Sequence, residues 1–128
     1  MAVALSTIGK YNDSIKYLYE AKYLLKSLFI KNPDLWATEY VKCLNNLVIC
    51  LSSLNSNEKT KEGINLLIEA KKIIEPFYQI DPNTWSKDFS KILNNLSNFI
   101  IKLTNQLKQK KLKNKLIKLK LFIYYNNS

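Results

Sequence analysis

Lysine and asparagine recur four residues apart at two places in this chain, Lys42 with Asn46 and Lys91 with Asn95. Residues at i and i+4 share a helix face, so each pair sets an ammonium group beside a side-chain amide. That combination suits an acidic or extended peptide, whose carboxylate takes charge-assisted hydrogen bonds and whose backbone pairs with amides. Asn45 and Ile49 extend the first face and Asn94 and Asn98 the second, at the i, i+3, i+4, i+7 spacing of one helix side. A second reading stands beside this one: asparagines that hydrogen-bond a neighbouring helix backbone, with lysines on a solvated face.

Few other residues offer chemistry. There is no His and no Arg, which removes the commonest general base and the bidentate phosphate clamp. Cys43 and Cys50 lie seven residues apart, roughly 10.5 Å along a helix at 1.5 Å per residue, too far to bridge. They read as small apolar members of a buried stripe in a reducing compartment. Two cysteines without histidine complete neither a zinc site nor a nucleophile–base couple, so no catalysis, metal or cofactor is expected.

Charge is unevenly placed. The net charge is +10, but residues 1–101 hold 12 lysines against all 10 acids, and residues 102–128 hold 8 lysines against none. In the tail, Lys108, Lys110, Lys111, Lys113, Lys115, Lys118 and Lys120 interleave with Leu107, Leu112, Leu116, Leu119 and Phe122. This pattern predicts an amphipathic basic helix over about 108–124, although Leu116 to Ile123 also alternates as a strand would. Such a helix fits a repeat unit, an anionic lipid surface, or an acidic partner or nucleic acid. Against nucleic acid, direct base readout leans on Arg, which is absent. The opening residues lack a signal peptide's basic start and apolar length, and Lys or Asn interrupts every apolar run before the roughly 18 residues of a membrane span. A cytoplasmic protein is the expectation.

The elements that must position the Lys/Asn faces emerge from an internal repeat. Residues 12–54 align without a gap on residues 61–103, identical at 13 of 43 positions, among them Pro33/Pro82, Trp36/Trp85 and the runs Leu44-Asn45-Asn46-Leu47 and Leu93-Asn94-Asn95-Leu96. Each unit reads as two helices. Ile15, Leu18, Tyr19, Ala21 and Leu25, with Ile64, Leu67, Ile68, Ala70 and Ile74, recur at threes and fours on the faces of the helices that precede each Pro. Pro76 predicts a kink or an early end. Asn32-Pro33 and Asp81-Pro82 then read as cap and first helical residue of helices over about 33–54 and 82–106. Their buried stripes would be Trp36, Tyr40, Leu44, Leu47 and Leu51, and Trp85, Phe89, Leu93, Leu96 and Ile100. Polar Asn55 to Thr60 separates the units, and Glu20, Glu69, Lys22 and Lys71 read as surface charges.

The segment Ile8-Gly9-Lys10-Tyr11-Asn12-Asp13-Ser14-Ile15, followed by Ala21, resembles the turn and second helix of a tetratricopeptide repeat. The two Leu-Asn-Asn-Leu runs resemble the first-helix signature of its longer variants, found in kinesin light chains and bacterial arrays. Ser14 and Ala21, then Gly63 and Ala70, match the small residues of the family's helix crossing. The resemblance implies an all-α fold of antiparallel helix pairs stacked as a short right-handed α-solenoid in one domain. Its parts would be the end of a partial helix and a turn (1–10), a first unit (11–54), a second (55–106) and the basic helix of a partial third (107–128). It also implies a non-enzymatic interaction scaffold whose concave groove, lined by Lys42, Asn45, Asn46, Ile49, Lys91, Asn94, Asn95 and Asn98, takes a peptide or helix of another protein. Incomplete outer units leave apolar faces open, so self-association or a longer parent array is a further expectation.

Overall fold

The computed structural model describes the backbone of residues 2–126 and the side chains of residues 9–126. It holds four helices, α1 (Ala2–Lys31), α2 (Pro33–Ser52), α3 (Asn57–Ile80) and α4 (Pro82–Asn126), with no strand among the described residues. The chain is thus all-α. Positions 127 and 128 of the expected basic segment lie outside the described residues.

Local chemistry sets most boundaries. Pro33 follows Asn32, and Pro82 follows Asp81, each filling the first helical position where a missing N–H costs nothing. Asp81 caps α4 as expected: its carboxylate accepts from the Thr84 N–H at 3.3 Å and from the Thr84 hydroxyl at 2.6 Å. Asn32 makes no side-chain cap bond, and the one-residue turn is held by backbone bonds instead. Its N–H donates to the Leu28 carbonyl at 3.0 Å, and its carbonyl accepts from Trp36 at 3.2 Å. Ser56 caps α3, accepting from the Lys59 N–H at 3.2 Å, so the linker is shorter than the polar run Asn55–Thr60.

Three expected breaks are absent. No turn interrupts residues 8–11: α1 runs through Gly9, which has no positive φ and no neighbour within 4 Å of a Cβ built on it. A helical Gly costs only about 1 kcal/mol relative to Ala, too little for one position to end a 30-residue helix. α3 likewise does not end at Pro76, which sits on the exposed side, while buried Ile74 and half-buried Phe77 hold the backbone around it. Finally, residues 107–126 are not a separate helix or a strand but the continuation of α4. No Gly or Pro follows Pro82, so nothing in that stretch reverses the chain.

Each helix packs on its neighbours in sequence, α1 on α2, α2 on α3 and α3 on α4, and no other pair brings its backbones together among the described residues. In the first hairpin the Phe29 and Tyr40 rings stack at 5.5 Å while the Cys43 thiol donates to the Leu18 carbonyl at 3.3 Å. In the last, Tyr78 stacks on Phe89 at 4.6 Å and Gly63 lies under Phe99. Both contact sequences run antiparallel. Gly63 is needed there: a Cβ would stand 2.2 Å from the Phe99 ring.

The core lies along α2 and its two neighbours, with Tyr40, Leu44, Leu47, Leu51, Leu67, Ala70 and Ile74 fully enclosed. The expected α4 stripe is displaced. Ile92 and Phe99 are its buried residues, Trp85, Phe89 and Leu96 are half-buried, and Leu93 and Ile100 are exposed. α4 packs its backbone against α3 alone and reaches α2 only with side chains such as Lys102, so one side of it is well covered; α2 packs on α1 and α3 and is covered on two.

Candidate functional site

The sequence-derived site residues divide between α2 and α4. Ile49, Asn95 and Asn98 come together with Val48, Ser52, Phe99 and Lys102 around a cavity of about 300 Å³ between the two helices. Here the ammonium of Lys102 donates to the Ser52 carbonyl at 3.1 Å, satisfying an end-of-helix acceptor. Asn46 and Ile49 also border a second depression, of about 410 Å³, with Ser14, Tyr17, Leu18 and Cys50 on the α1 side. Ile49 belongs to both, so one continuous surface strip crosses α1, α2 and α4 over this exposed side chain.

The remaining residues stand apart from these depressions. Lys42 is exposed and pairs loosely with Glu39 at 3.8 Å, one helical turn away. Lys91 and Asn94 are exposed on α4. Asn45 is half-buried and its Oδ1 is enclosed without a hydrogen-bond partner. Asn46, Asn94, Asn95 and Asn98 make no side-chain hydrogen bond to a neighbouring helix among the described residues. The basic-tail lysines, Lys108, Lys110, Lys111, Lys113, Lys115, Lys118 and Lys120, all lie exposed on the distal part of α4.

A polar network links α1 to α3 on the opposite side. The Tyr40 hydroxyl donates to Glu69, whose second oxygen meets Lys22 at 3.2 Å, and the Tyr19 hydroxyl donates to Glu62, which also holds Lys59 at 3.3 Å. Glu69 and Lys22 are therefore not plain surface charges as the sequence implied: Lys22 of α1 reaches Glu69 of α3. Burial first, and the carboxylate partner second, push both phenols well above the usual tyrosine range. Beside this network lies an open, largely apolar cavity of about 440 Å³, walled by Phe29, Ile30, Ile73 and Phe77 with Tyr40 and Glu69 also lining it. Sequence reasoning missed it because its walls come from two different repeats.

The thiols show no sign of activation. Burial raises both Cys43 and Cys50, and Lys22 offsets only part of the rise at Cys43. No group of three or more metal-ligating side chains occurs among the described residues, and no helix among them is long and apolar enough to cross a membrane. The chain matches no protein family, no curated protein and no solved structure. The arrangement of its own residues must therefore carry the functional argument.

Proposed function

We propose that the chain is a non-enzymatic interaction scaffold, a short right-handed α-solenoid of tetratricopeptide-like helix pairs, which binds an extended, acidic peptide segment of another protein along the α2–α4 side. The observation that carries this reading is the convergence of Ile49, Asn95, Asn98 and Lys102 on one depression although they come from different repeats. Sequential helix packing supports the solenoid, since stacked units touch only their neighbours. Exposed Ile49 would take an apolar side chain of the peptide. The free amides of Asn46, Asn95 and Asn98 would pair with its backbone, Lys102 would meet a carboxylate, and Lys42 and Lys91, which stand outside the depressions, would attract its acidic residues at longer range. The strip is short, so binding is weak and gains strength only when the partner offers several copies of the segment. A reducing, cytoplasmic setting fits two thiols kept protonated by burial.

The test begins with selection of random peptides on the full chain, followed by titration calorimetry of the enriched sequences. Acidic peptides with a single large apolar residue should emerge, and Ile49→Asp should weaken them by about tenfold or more, the effect of losing one apolar anchor. Enriched peptides that bind Ile49→Asp and the double variant Asn95→Ala/Asn98→Ala as tightly as the parent chain would overturn the reading.

A further inference from the structure

The basic end of α4 belongs to neither the core nor the groove. α4 has 45 residues, about 68 Å, whereas α3 beside it has 24, about 36 Å, so its last turns extend past the body. Every residue from Leu107 to Asn126 is exposed. Leu112, Leu116, Leu119 and Ile123 follow one another at intervals of four, three and four, forming a single apolar stripe. Lys108 and Lys115 border it on one side and Lys113 and Lys120 on the other. Ile117, Leu121 and Tyr124 lie on another side of the helix, so the final turns are apolar around more than one face.

Whatever covers this segment must be apolar and negative at once. Pairing with the same segment of a second copy fails, because no acid follows Asp88, and lysine would face lysine along both edges in either orientation. Nucleic acid would neutralise the lysines but leave the leucine stripe in water. A single acidic helix would cover the leucine stripe but pair only the lysines that border it, leaving Lys110, Lys111 and Lys118 on the far sides unmatched. A lipid interface receives the leucine stripe while the flanking lysine stems reach up to the headgroups, and its diffuse negative field acts on all seven lysines at once. We propose that residues 108–126 form an interfacial helix that docks the chain on an anionic lipid surface. This inference is independent of the peptide groove and survives its failure.

The test is co-sedimentation of the full chain with vesicles of phosphatidylcholine alone or with about a third phosphatidylglycerol, at low and raised salt. Partitioning should be about tenfold or more stronger on the anionic vesicles and should weaken with salt. Leu116→Asn with Leu119→Asn, which keeps every lysine, should reduce it by about tenfold or more. Lys113→Gln with Lys120→Gln should erode the preference for anionic lipid. Trp36 and Trp85 both sit in the body, so an unchanged tryptophan emission shows that the variants remain folded. Equal partitioning on both vesicle types would overturn the proposal. So would anionic binding that the leucine variant leaves intact, displacement from vesicles by a duplex oligonucleotide with no loss in the leucine variant, or a leucine-dependent rise in mass with concentration in the absence of lipid.

Discussion

Leu44 and Leu93 occupy matching positions of the repeat, as do Leu51 and Ile100, yet Leu44 and Leu51 are 0% exposed while Leu93 is 39% and Ile100 48% exposed. The two helices share their signature residues and differ in what stands on either side. α2 is enclosed between α1 and α3, whereas α4 packs closely on α3 alone and reaches α2 only with side chains. Burial at matched positions therefore follows how many helices pack alongside more than which residue stands there. The exposed side of α4 is also where the apolar surface accumulates, through Ile100, Ile101 and Leu107.

This contrast is most sharply broken or upheld by matched truncations. Leu44→Ala and Leu51→Ala should each cost about 2–5 kcal/mol, the range for enclosed leucines, and Leu93→Ala and Ile100→Ala about 1 kcal/mol or less. Urea unfolding followed by circular dichroism measures all four, and equal costs at matched positions would erase the distinction. The two glycines form a second matched test. Gly63→Ala should destabilise by about 1–2 kcal/mol, because its methyl would overlap the enclosed Phe99 ring by more than the gain in helix propensity repays, and Phe99→Leu should relieve part of the loss. Gly9→Ala meets nothing within 4 Å and should stabilise α1 by about 0.5–1 kcal/mol.

A smaller effect concerns the contacts between units on the α1–α3 side. Tyr40→Phe removes the hydroxyl bound to Glu69 and should cost about 1 kcal/mol at neutral pH. The same contact predicts an alkaline signature. Tyr40 and Tyr19 ionise at higher pH in the folded chain than in the unfolded one, whose phenols titrate near the ordinary value of 10.0. Above that point the unfolded state loses its phenolic protons first, so stability present at lower pH declines as pH rises. Unfolding midpoints measured across the alkaline range should fall less steeply for Tyr40→Phe than for the parent chain. The smallest effect belongs to the distal part of α4: a chain ending at Gln106 should keep its thermal unfolding free energy within about 0.5 kcal/mol, because nothing beyond that point is enclosed.

The elements themselves were largely legible in the sequence. The two X-Pro signals mark the starts of α2 and α4, and the periodicity of Leu67, Ala70 and Ile74 marks the inner face of α3. The continuation of the helices through Gly9, Pro76 and residue 107 was not legible, since a single Gly or Pro reads as punctuation, whereas one Gly costs too little to end a long helix and the packing of Ile74 and Phe77 carries α3 past Pro76. The α4 stripe was misplaced by assuming that repeat equivalence implies equal burial, when Ile92 and Phe99 instead face the one available neighbour. Among the candidate site residues, the identity of Ile49, Asn95 and Asn98 came from the repeat arithmetic. Their meeting with Lys102 and Ser52, and the Lys22–Glu69 link, depend on the stacking distance between units, which spacing along one helix does not encode.

The claim that the α2–α4 strip is the binding surface is tested most directly by mapping backbone amide chemical shifts in the full chain as a selected acidic peptide is titrated in. The account predicts that the shifts concentrate on Asn46 to Ser52 and Asn95 to Lys102, with the largest change at Ile49. Shifts gathered instead around Phe29, Ile73 and Phe77 would place the peptide in the α1–α3 cavity, and shifts confined to residues 108–126 would assign it to the basic helix; either result would contradict the claim.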